Sequence, residues 1–168
     1  MAIRILVADD DPDISMSLSE RLRWLGHEVV TAADGQAALA AVEAHALDLA
    51  FLDVSMPRLN GIEALKLIRK RWPNLPVVVV TAYGTIRLAV EAMKEGAVDF
   101  ITKPFEQGQI DQTVSTFIDR MGQRVEITKL MGEITHDVKN LLMPLVTGTD
   151  LLADEIDDVF PHLPAMER

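Results

Sequence analysis

The sequence feature that most constrains the fold is a largely apolar run at residues 47–54, which carries Asp53 near its end and turns at Pro57. An apolar run with such a breaker after it is typical of a strand buried on both faces of a parallel sheet. Asp53 is therefore expected at the carboxyl end of a core strand. In open α/β sheets, that edge is where functional sites are built.

Charged residues follow two other apolar runs. Asp9, Asp10 and Asp11 come directly after the first run of the chain, and Lys103 comes directly after the last. A carboxylate at the end of a core strand is unfavourable unless a cation or another polar group interacts with it there. Together with Asp53, these residues predict a cation site with a lysine beside it at the carboxyl edge of the sheet.

Strand-like and helix-like patterns alternate five times over residues 1–119. This alternation predicts an α/β fold, a (βα)5 doubly wound parallel sheet, with a long C-terminal helical extension at residues 120–168. The predicted strands cover residues 3–8, 27–33, 47–54, 77–80 and 99–102, and the predicted helices cover residues 12–25, 35–45, 61–72, a segment ending near residue 95, and residues 107 onward.

The fifth helix is expected to continue to about residue 158, because its apolar residues keep a regular spacing. A seam of this length is typical of a coiled coil or a bundle helix, since one helix alone cannot bury it. We therefore expect a homodimer through the later part of this helix, where Ile134, Val138, Leu141 and Leu145 lie, with a kink at Pro144. The seam consists of Ile110, Val114, Phe117 and Met121, followed by Met131, Ile134, Val138, Leu141 and Leu145.

Charge and composition exclude several classes of partner. The chain has 16 basic and 26 acidic residues and a net charge of −10, which argues against non-specific binding to nucleic acid. The N-terminus lacks a signal-peptide layout and no apolar stretch approaches membrane-spanning length, so we expect a cytoplasmic protein with no membrane segment. The absence of cysteine fits a reducing compartment.

Four short motifs resemble, in order and spacing, the signatures of the response-regulator receiver domain. They lie at residues 5–12, at 52–57 with 60–61, at 80–82 and at 103–105. The resemblance implies the flavodoxin-like sheet order 2-1-3-4-5 and a role in two-component phosphorelay signalling. It also implies transfer of a phosphoryl group onto Asp53 from a phosphohistidine donor, either a histidine kinase or a phosphotransfer protein.

The same resemblance implies a magnesium-dependent site. Asp9, Asp10, Asp53 and the backbone carbonyl of Ser55 would hold Mg²⁺ or Mn²⁺, since hard cations prefer oxygen ligands. Asp9 and Asp10 are favoured over Asp11, because they directly follow the apolar run. Asp11 is then a charge at the start of a helix.

Further roles follow from the receiver resemblance. Lys103 would supply a second positive charge, and Thr81 would donate a hydrogen bond to a phosphoryl oxygen. Phe100 matches the family's aromatic switch, although plain core packing explains it equally well. Tyr83 is either a shield over the acyl phosphate or an exposed loop aromatic. The peptide bond before Pro104 would be cis.

Residues 133–142 resemble the H-box of histidine-kinase dimerisation domains, in its His-Asp-x-Lys-Asn form. By resemblance, His136 would be a second phosphoacceptor and Asp137 the base that polarises it. The chain carries no Gly-rich ATP-binding domain, so whether it acts as an enzyme stays open. It is expected to be the N-terminal part of a sensor histidine kinase that begins with a receiver, or else a stand-alone response regulator with a dimerising helical stalk.

Two other functional classes use similar residues. A phosphohydrolase of the haloacid-dehalogenase type also places a nucleophilic aspartate at a strand end with Mg²⁺, a threonine and a lysine. Such enzymes characteristically carry a second acid two residues later, where this chain has Ser55. A purely structural adaptor with a degenerate receiver is disfavoured, because Asp10, Asp53, Thr81 and Lys103 are all present.

Overall fold

The computed structural model describes residues 1–82 and 84–146, except for the side chains at 86, 124, 125, 133–135 and 137–146. Strands and helices alternate through these residues as the sequence predicts. The elements are β1 (Arg4–Ala8), α1 (Pro12–Trp24), β2 (Glu28–Ala32), α2 (Gly35–Ala44), β3 (Leu49–Asp53), α3 (Gly61–Arg71), β4 (Val77–Thr81), α4 (Ile86–Lys94), β5 (Asp99–Thr102) and α5 (Gln107–Val146).

Over the described residues, the strands form one five-stranded parallel sheet in the order β2-β1-β3-β4-β5. This confirms the predicted α/β class and the order 2-1-3-4-5. Every residue of β3 and of β4 is buried, which explains why their sequences are apolar runs rather than alternating ones. Because the strands are parallel, their carboxyl ends all lie at the same edge of the sheet.

The helices begin where the sequence provides capping side chains. Asp11 caps α1, with its carboxylate accepting from the backbone N–H groups of Asp13 and Ile14. In α3, Asn60 and Glu63 form a reciprocal capping box. Such caps satisfy backbone donors that the first turn of a helix leaves unpaired. The short loops at the carboxyl edge of the sheet are therefore fixed by the helices that follow them.

The predicted inner faces of the helices are buried. In α1, Leu18 and Leu22 lie in the core, and in α3 the core residues include Ile62, Leu65 and Ile68. The predicted C-cap of α1 is shifted by one residue, because Leu25 caps the helix and Gly26 follows it with φ 89°. A left-handed residue just beyond the cap is a common helix ending, and glycine adopts it without steric cost.

The chain separates into two compact units, the first of which is Met1–Thr116 and the second of which begins at Phe117. Ile110 and Val114, the first two residues of the predicted seam, are buried in the first unit. These two residues thus belong to the core of the first unit, and the apolar seam of the extension begins after them. Arg21 of α1 also pairs with Asp111 at the start of α5.

In the second unit, α5 exposes Ile127, Leu130 and Met131. The later seam residues have backbone in α5, but their side chains lie outside the described set. The expected continuation to residue 158 also lies outside the described residues, which end at 146. No helix in the described part of the chain is both long enough and apolar enough to span a bilayer.

Candidate functional site

The carboxyl edge of the sheet brings together two buried carboxylates and one buried ammonium. Lys103, directly after β5, places Nζ 2.6 Å from Asp9 Oδ2 and 3.1 Å from Asp53 Oδ1. The side chains of Asp9 and Asp53 are 4% and 3% exposed, and that of Lys103 is 10% exposed. Charges removed from water in this way are tolerated only when they are paired, so the three groups depend on one another.

Asp10 adds a third carboxylate at the mouth of the site. Asp9, Asp10 and Asp53 each offer one oxygen, and these oxygens all lie within 4.8 Å of one another. Asp10 is exposed, whereas Asp9 and Asp53 are buried. The cluster is therefore open to solvent on the side of Asp10.

The two oxygens of Asp53 have different surroundings. Oδ2 accepts a hydrogen bond of 3.1 Å from the backbone N–H of Ser55. Oδ1 is buried and contacts Lys103 Nζ as an ion pair, but among the described residues it accepts no hydrogen bond of good geometry. A buried oxygen with unused lone pairs, close to two other carboxylates, fits the oxygen-ligand preference of Mg²⁺.

The electrostatics of the cluster follow from burial and pairing. Burial raises the pKa of the Asp53 carboxyl above its usual value, and the adjacent Lys103 ammonium reduces this effect without cancelling it. For Lys103, burial alone would lower the pKa, but the contacts with Asp9 and Asp53 outweigh it and the pKa is raised. The contacts thus favour the charged form of Lys103, whereas burial disfavours the charged form of Asp53.

Backbone hydrogen bonds hold each strand end in place. Asp9 N–H donates to Ala32 O at 3.0 Å, and Lys103 N–H donates to Thr81 O at 2.8 Å. Val54 N–H, next to Asp53, donates to Val80 O at 3.1 Å. The ends of β1, β3 and β5 are each bonded to a neighbouring strand, so the positions of the charged side chains are set by the whole sheet.

Other predicted site residues are found nearby. Thr81 is fully buried at the carboxyl end of β4. Phe100 is half-buried on β5 and packs against the core, and the Lys103–Pro104 peptide bond is cis, as the resemblance implies. Asp11 caps α1 and also donates its N–H to Asp9 Oδ1 at 3.0 Å.

The remaining predicted residues lie elsewhere or outside the description. Tyr83 falls outside the described residues, so neither of its two proposed roles is tested. His136 lies on α5 in the second unit and is exposed. The side chain of Asp137 is outside the described set, and the H-box interpretation stays a prediction.

One contact beside the site, the pairing of Arg58 with Asp34, could not be predicted from the sequence. Arg58, in the loop after β3, has φ 64° and pairs with the buried carboxylate of Asp34. Asp34 also caps α2, accepting from Ala37 N–H at 2.8 Å. An aspartate before Gly35 is a recognisable helix-start signal. Nothing in the sequence marks Arg58, because left-handed backbone is unusual for arginine.

Gly61 belongs to a matched motif, and the structure gives it a steric reason. A Cβ atom at this position would lie 2.1 Å from the carbonyl oxygen of Asp53. Only glycine allows α3 to begin this close to the end of β3. The tight approach brings the loop that carries Ser55 against the carboxylate cluster.

A family model for the response regulator receiver domain matches residues 5–115, which contain all the clustered charges. The chain belongs to this family. Receiver domains act in two-component signalling and accept phosphoryl groups from histidine kinases or phosphotransfer proteins. The phosphohydrolase alternative is not favoured by this match. Two residues after Asp53, where such enzymes carry a second acid, this chain has Ser55, whose backbone N–H donates to Asp53 Oδ2.

Individual relatives agree with the family assignment. The chain is 44% identical over 106 residues to the response regulator protein FleR of Pseudomonas aeruginosa, covering 63% of this chain and 22% of FleR. It is 38% identical over 132 residues to the nitrogen assimilation regulatory protein NtrX of Azorhizobium caulinodans, covering 77% of this chain and 29% of NtrX. The chain thus spans less than a third of the length of either relative.

A solved structure extends the likeness to three dimensions. The crystal structure of the receiver domain of NtrX from Brucella abortus superposes with a TM-score of 0.66 at 40% identity. The match covers 68% of this chain and 98% of that domain. A nearly complete receiver domain is therefore contained in this chain.

Replacement of the buried lysine tests the electrostatics of the receiver site. We expect Lys103→Met, without added metal, to lower the free energy of unfolding at about pH 7.5 by about 2 kcal/mol, because two buried carboxylates lose their cation. Without Lys103 the pKa of Asp53 rises further, so the folded state takes up a proton as the pH falls. The deficit should shrink by about pH 5 in urea titrations.

Lys66 provides a matched control, because it forms an exposed ion pair with Glu95 at 3.5 Å. Lys66→Met should change the free energy of unfolding by less than about 0.5 kcal/mol at either pH. A loss in Lys103→Met that equals this small value, or that stays constant with pH, would contradict the paired-charge description of the site.

Proposed function

We propose that this receiver accepts a phosphoryl group on Asp53 from the phosphohistidine of a histidine kinase or a phosphotransfer protein. The observation that carries the proposal is the position of Asp53 Oδ1, buried at the strand end and 3.1 Å from the Lys103 ammonium. In the reaction, a carboxylate oxygen of Asp53 forms a bond to phosphorus as the nitrogen–phosphorus bond of the donor breaks. The imidazole leaves with the electron pair of that bond.

The metal ligands in this proposal are Asp9, Asp10, Asp53 and the backbone carbonyl of Ser55, and the ion is Mg²⁺ or Mn²⁺. The support is the cluster of three carboxylate oxygens within 4.8 Å, together with the unused lone pairs of Asp53 Oδ1. When bound, the ion neutralises negative charge between the carboxylates and the incoming phosphoryl oxygens.

The other residues act through charge and hydrogen bonding. Lys103 is the fixed cation of the site, and its ammonium is placed to contact an oxygen of the phosphorylated Asp53. Thr81, buried at the next strand end, donates its hydroxyl to another phosphoryl oxygen and so reports the modification. Phe100 acts as the switch residue, because it lies at the surface of the core and can repack when Thr81 moves.

Substitution of the acceptor tests the proposal directly. Acetyl phosphate or beryllofluoride with Mg²⁺ should modify the protein once, as measured by intact mass or by fluorine NMR, and Asp53→Asn should abolish the modification. Removal of Mg²⁺ should have nearly the same effect, because the uncompensated carboxylates repel the phosphoryl group.

The matched control is Asp13→Asn, which alters an exposed aspartate in the first turn of α1. This variant should be modified at the wild-type rate within about twofold, because its charge lies outside the cluster. Modification that persists in Asp53→Asn would overturn the assignment of the acceptor.

We also propose that residues 1–119 form the receiver and residues 120–168 a dimerising helical extension. The family match ends at residue 115 and the first compact unit at Thr116, which supports a boundary in this region. Exposed Ile127 and Met131 lie four positions apart on α5, on the side of the helix that continues the predicted seam. Apolar side chains in such a row are best buried against a second copy.

Analytical ultracentrifugation tests the dimer. The full chain should sediment as a dimer, and the double variant Ile127→Gln/Met131→Gln should raise the dissociation constant at least about tenfold by removing buried apolar surface. Lys129→Gln, on the opposite side of α5, is the control and should leave the constant unchanged. A full chain that is monomeric at high concentration would refute the dimer.

For His136 we propose a second phosphoacceptor role, with Asp137 as the polarising base. The supporting observations are the H-box-like sequence and the exposure of His136 on α5, which leaves the imidazole accessible to a separate catalytic domain. In this form the chain is the N-terminal part of a sensor histidine kinase. A stand-alone response regulator with a helical stalk is the alternative, and FleR carries the name response regulator protein.

The two forms of the tail differ in a phosphate-stability assay. With ATP and an added histidine-kinase catalytic domain, the full chain should gain acid-labile, base-stable phosphate that His136→Gln abolishes. His45→Gln, on an exposed histidine of the first unit, should keep the label. If several catalytic domains give no such label while Asp53 still accepts phosphate from acetyl phosphate, the tail is a stalk.

We also expect residues 1–168 to bind no nucleic acid, because their net charge of −10 repels the phosphate backbone.

A further inference from the structure

The loop between β3 and α3, residues 54–60, connects the acceptor strand to the next helix and carries Ser55. Its first part is bonded to the site, because Ser55 N–H donates to Asp53 Oδ2 at 3.1 Å. Its last part returns to the strand, because Gly61 N–H donates to Val54 O at 3.0 Å. Among the described residues, no strand pairs with residues 56–59, so the middle of the loop needs another support.

Arg58 supplies that support from the middle of the loop. Its backbone has φ 64°, a conformation that non-glycine residues adopt only when their surroundings impose it. Its guanidinium reaches out of the loop and pairs with the carboxylate of Asp34. The Arg58 side chain is 62% exposed, whereas that of Asp34 is only 5% exposed.

Asp34 is a firm anchor for this contact. One of its carboxylate oxygens caps α2 by accepting from Ala37 N–H, and the other accepts from Arg58. The hydrogen bond from Ala37 and then the contact with Arg58 lower the pKa of Asp34, so the group stays ionised at neutral pH. The start of α2 therefore fixes the position of the Asp34 side chain and favours its ionised form.

A steric contact reinforces the electrostatic one. A Cβ atom at Gly35 would lie 2.2 Å from the carbonyl oxygen of Leu59, so the first residue of α2 touches the loop backbone directly. Leu59 N–H in turn donates to Pro57 O at 2.7 Å, which tightens the turn around Arg58. The start of α2 thus holds the loop from outside, while β3 holds it from within.

We propose that Arg58 is a positioning residue for phosphoryl transfer, which fixes the loop through Asp34 and so keeps Ser55 in place beside Asp53. This inference rests on the proposed function of Asp53 and its metal ligands. Without the contact, the loop can rotate about its middle. The Ser55 N–H then no longer orients the Asp53 carboxylate, and the Ser55 carbonyl leaves the position where a metal ligand is needed. Small displacements of such groups have large effects on transfer rates.

The first test measures how firmly the loop is held, with no metal or phosphate present. Amide hydrogen exchange at Ser55, measured by NMR on the metal-free full chain, should accelerate about tenfold in Arg58→Ala and in Asp34→Asn. The double variant should show no further acceleration, because the two side chains act through one contact. Arg71→Ala, on an exposed arginine at the end of α3, should leave the exchange rate unchanged.

The second test measures Mg²⁺ affinity by isothermal titration calorimetry. Arg58→Ala and Arg58→Gly should both weaken Mg²⁺ binding about tenfold, the size of effect seen when groups that orient metal ligands are removed. Arg58→Gly separates the two roles of this residue, because glycine adopts the left-handed backbone freely but lacks the guanidinium. Arg58→Lys, which retains a cation, should recover part of the affinity.

The outcomes separate this inference from the proposed function. Unchanged exchange at Ser55 in Arg58→Ala and Arg58→Gly would overturn the positioning role, whether or not Asp53 accepts phosphate. Accelerated exchange with unchanged Mg²⁺ affinity would also overturn it, because the loop would then move without consequence for the ligands. Failure of Asp53 to accept phosphate in the wild-type chain would refute the proposed function while leaving the exchange result intact.

Discussion

The ammonium group of Lys103, held between Asp9 and Asp53, is the interaction on which the receiver site depends. Burying two carboxylates at a strand edge is unfavourable unless a cation is buried with them. That cation directly follows β5, which is separated from β3 by the whole of β4. Because neighbouring strands are about 4.8 Å apart, only a long side chain can cross this gap. Lysine meets the requirement and keeps its charge through the same contacts.

Much of this arrangement could be predicted from the sequence, because its signals are local. Four consecutive valines at residues 77–80 leave little alternative to a buried strand, and β4 is found there. The breaker at Pro57 places Asp53 at a strand end, and β3 ends at that residue. The strand order required the family resemblance, since alternation of strands and helices does not by itself determine which strands are neighbours.

Other features were beyond sequence reasoning for physical reasons. The pairing of Arg58 with Asp34 joins residues 24 positions apart, and the left-handed backbone of Arg58 leaves no mark in the composition of the loop. The apolar repeat in α5 is ambiguous in another way. The spacing of Ile110 and Val114 is the same whether a helix packs on its own sheet or on a partner helix. Only the structure shows that these two residues are core.

The strand order also has a consequence for the newly made chain. Two of the clustered carboxylates, Asp9 and Asp10, follow β1 and the third, Asp53, ends β3, whereas their cation follows the last strand. Chains emerge from the ribosome N-terminus first, so the acids are present well before Lys103 appears. Until then the two central acids have no lysine to offset their desolvation, and water is the better environment for them. The carboxylate cluster therefore gains its cation only when the final strand has been added to the sheet.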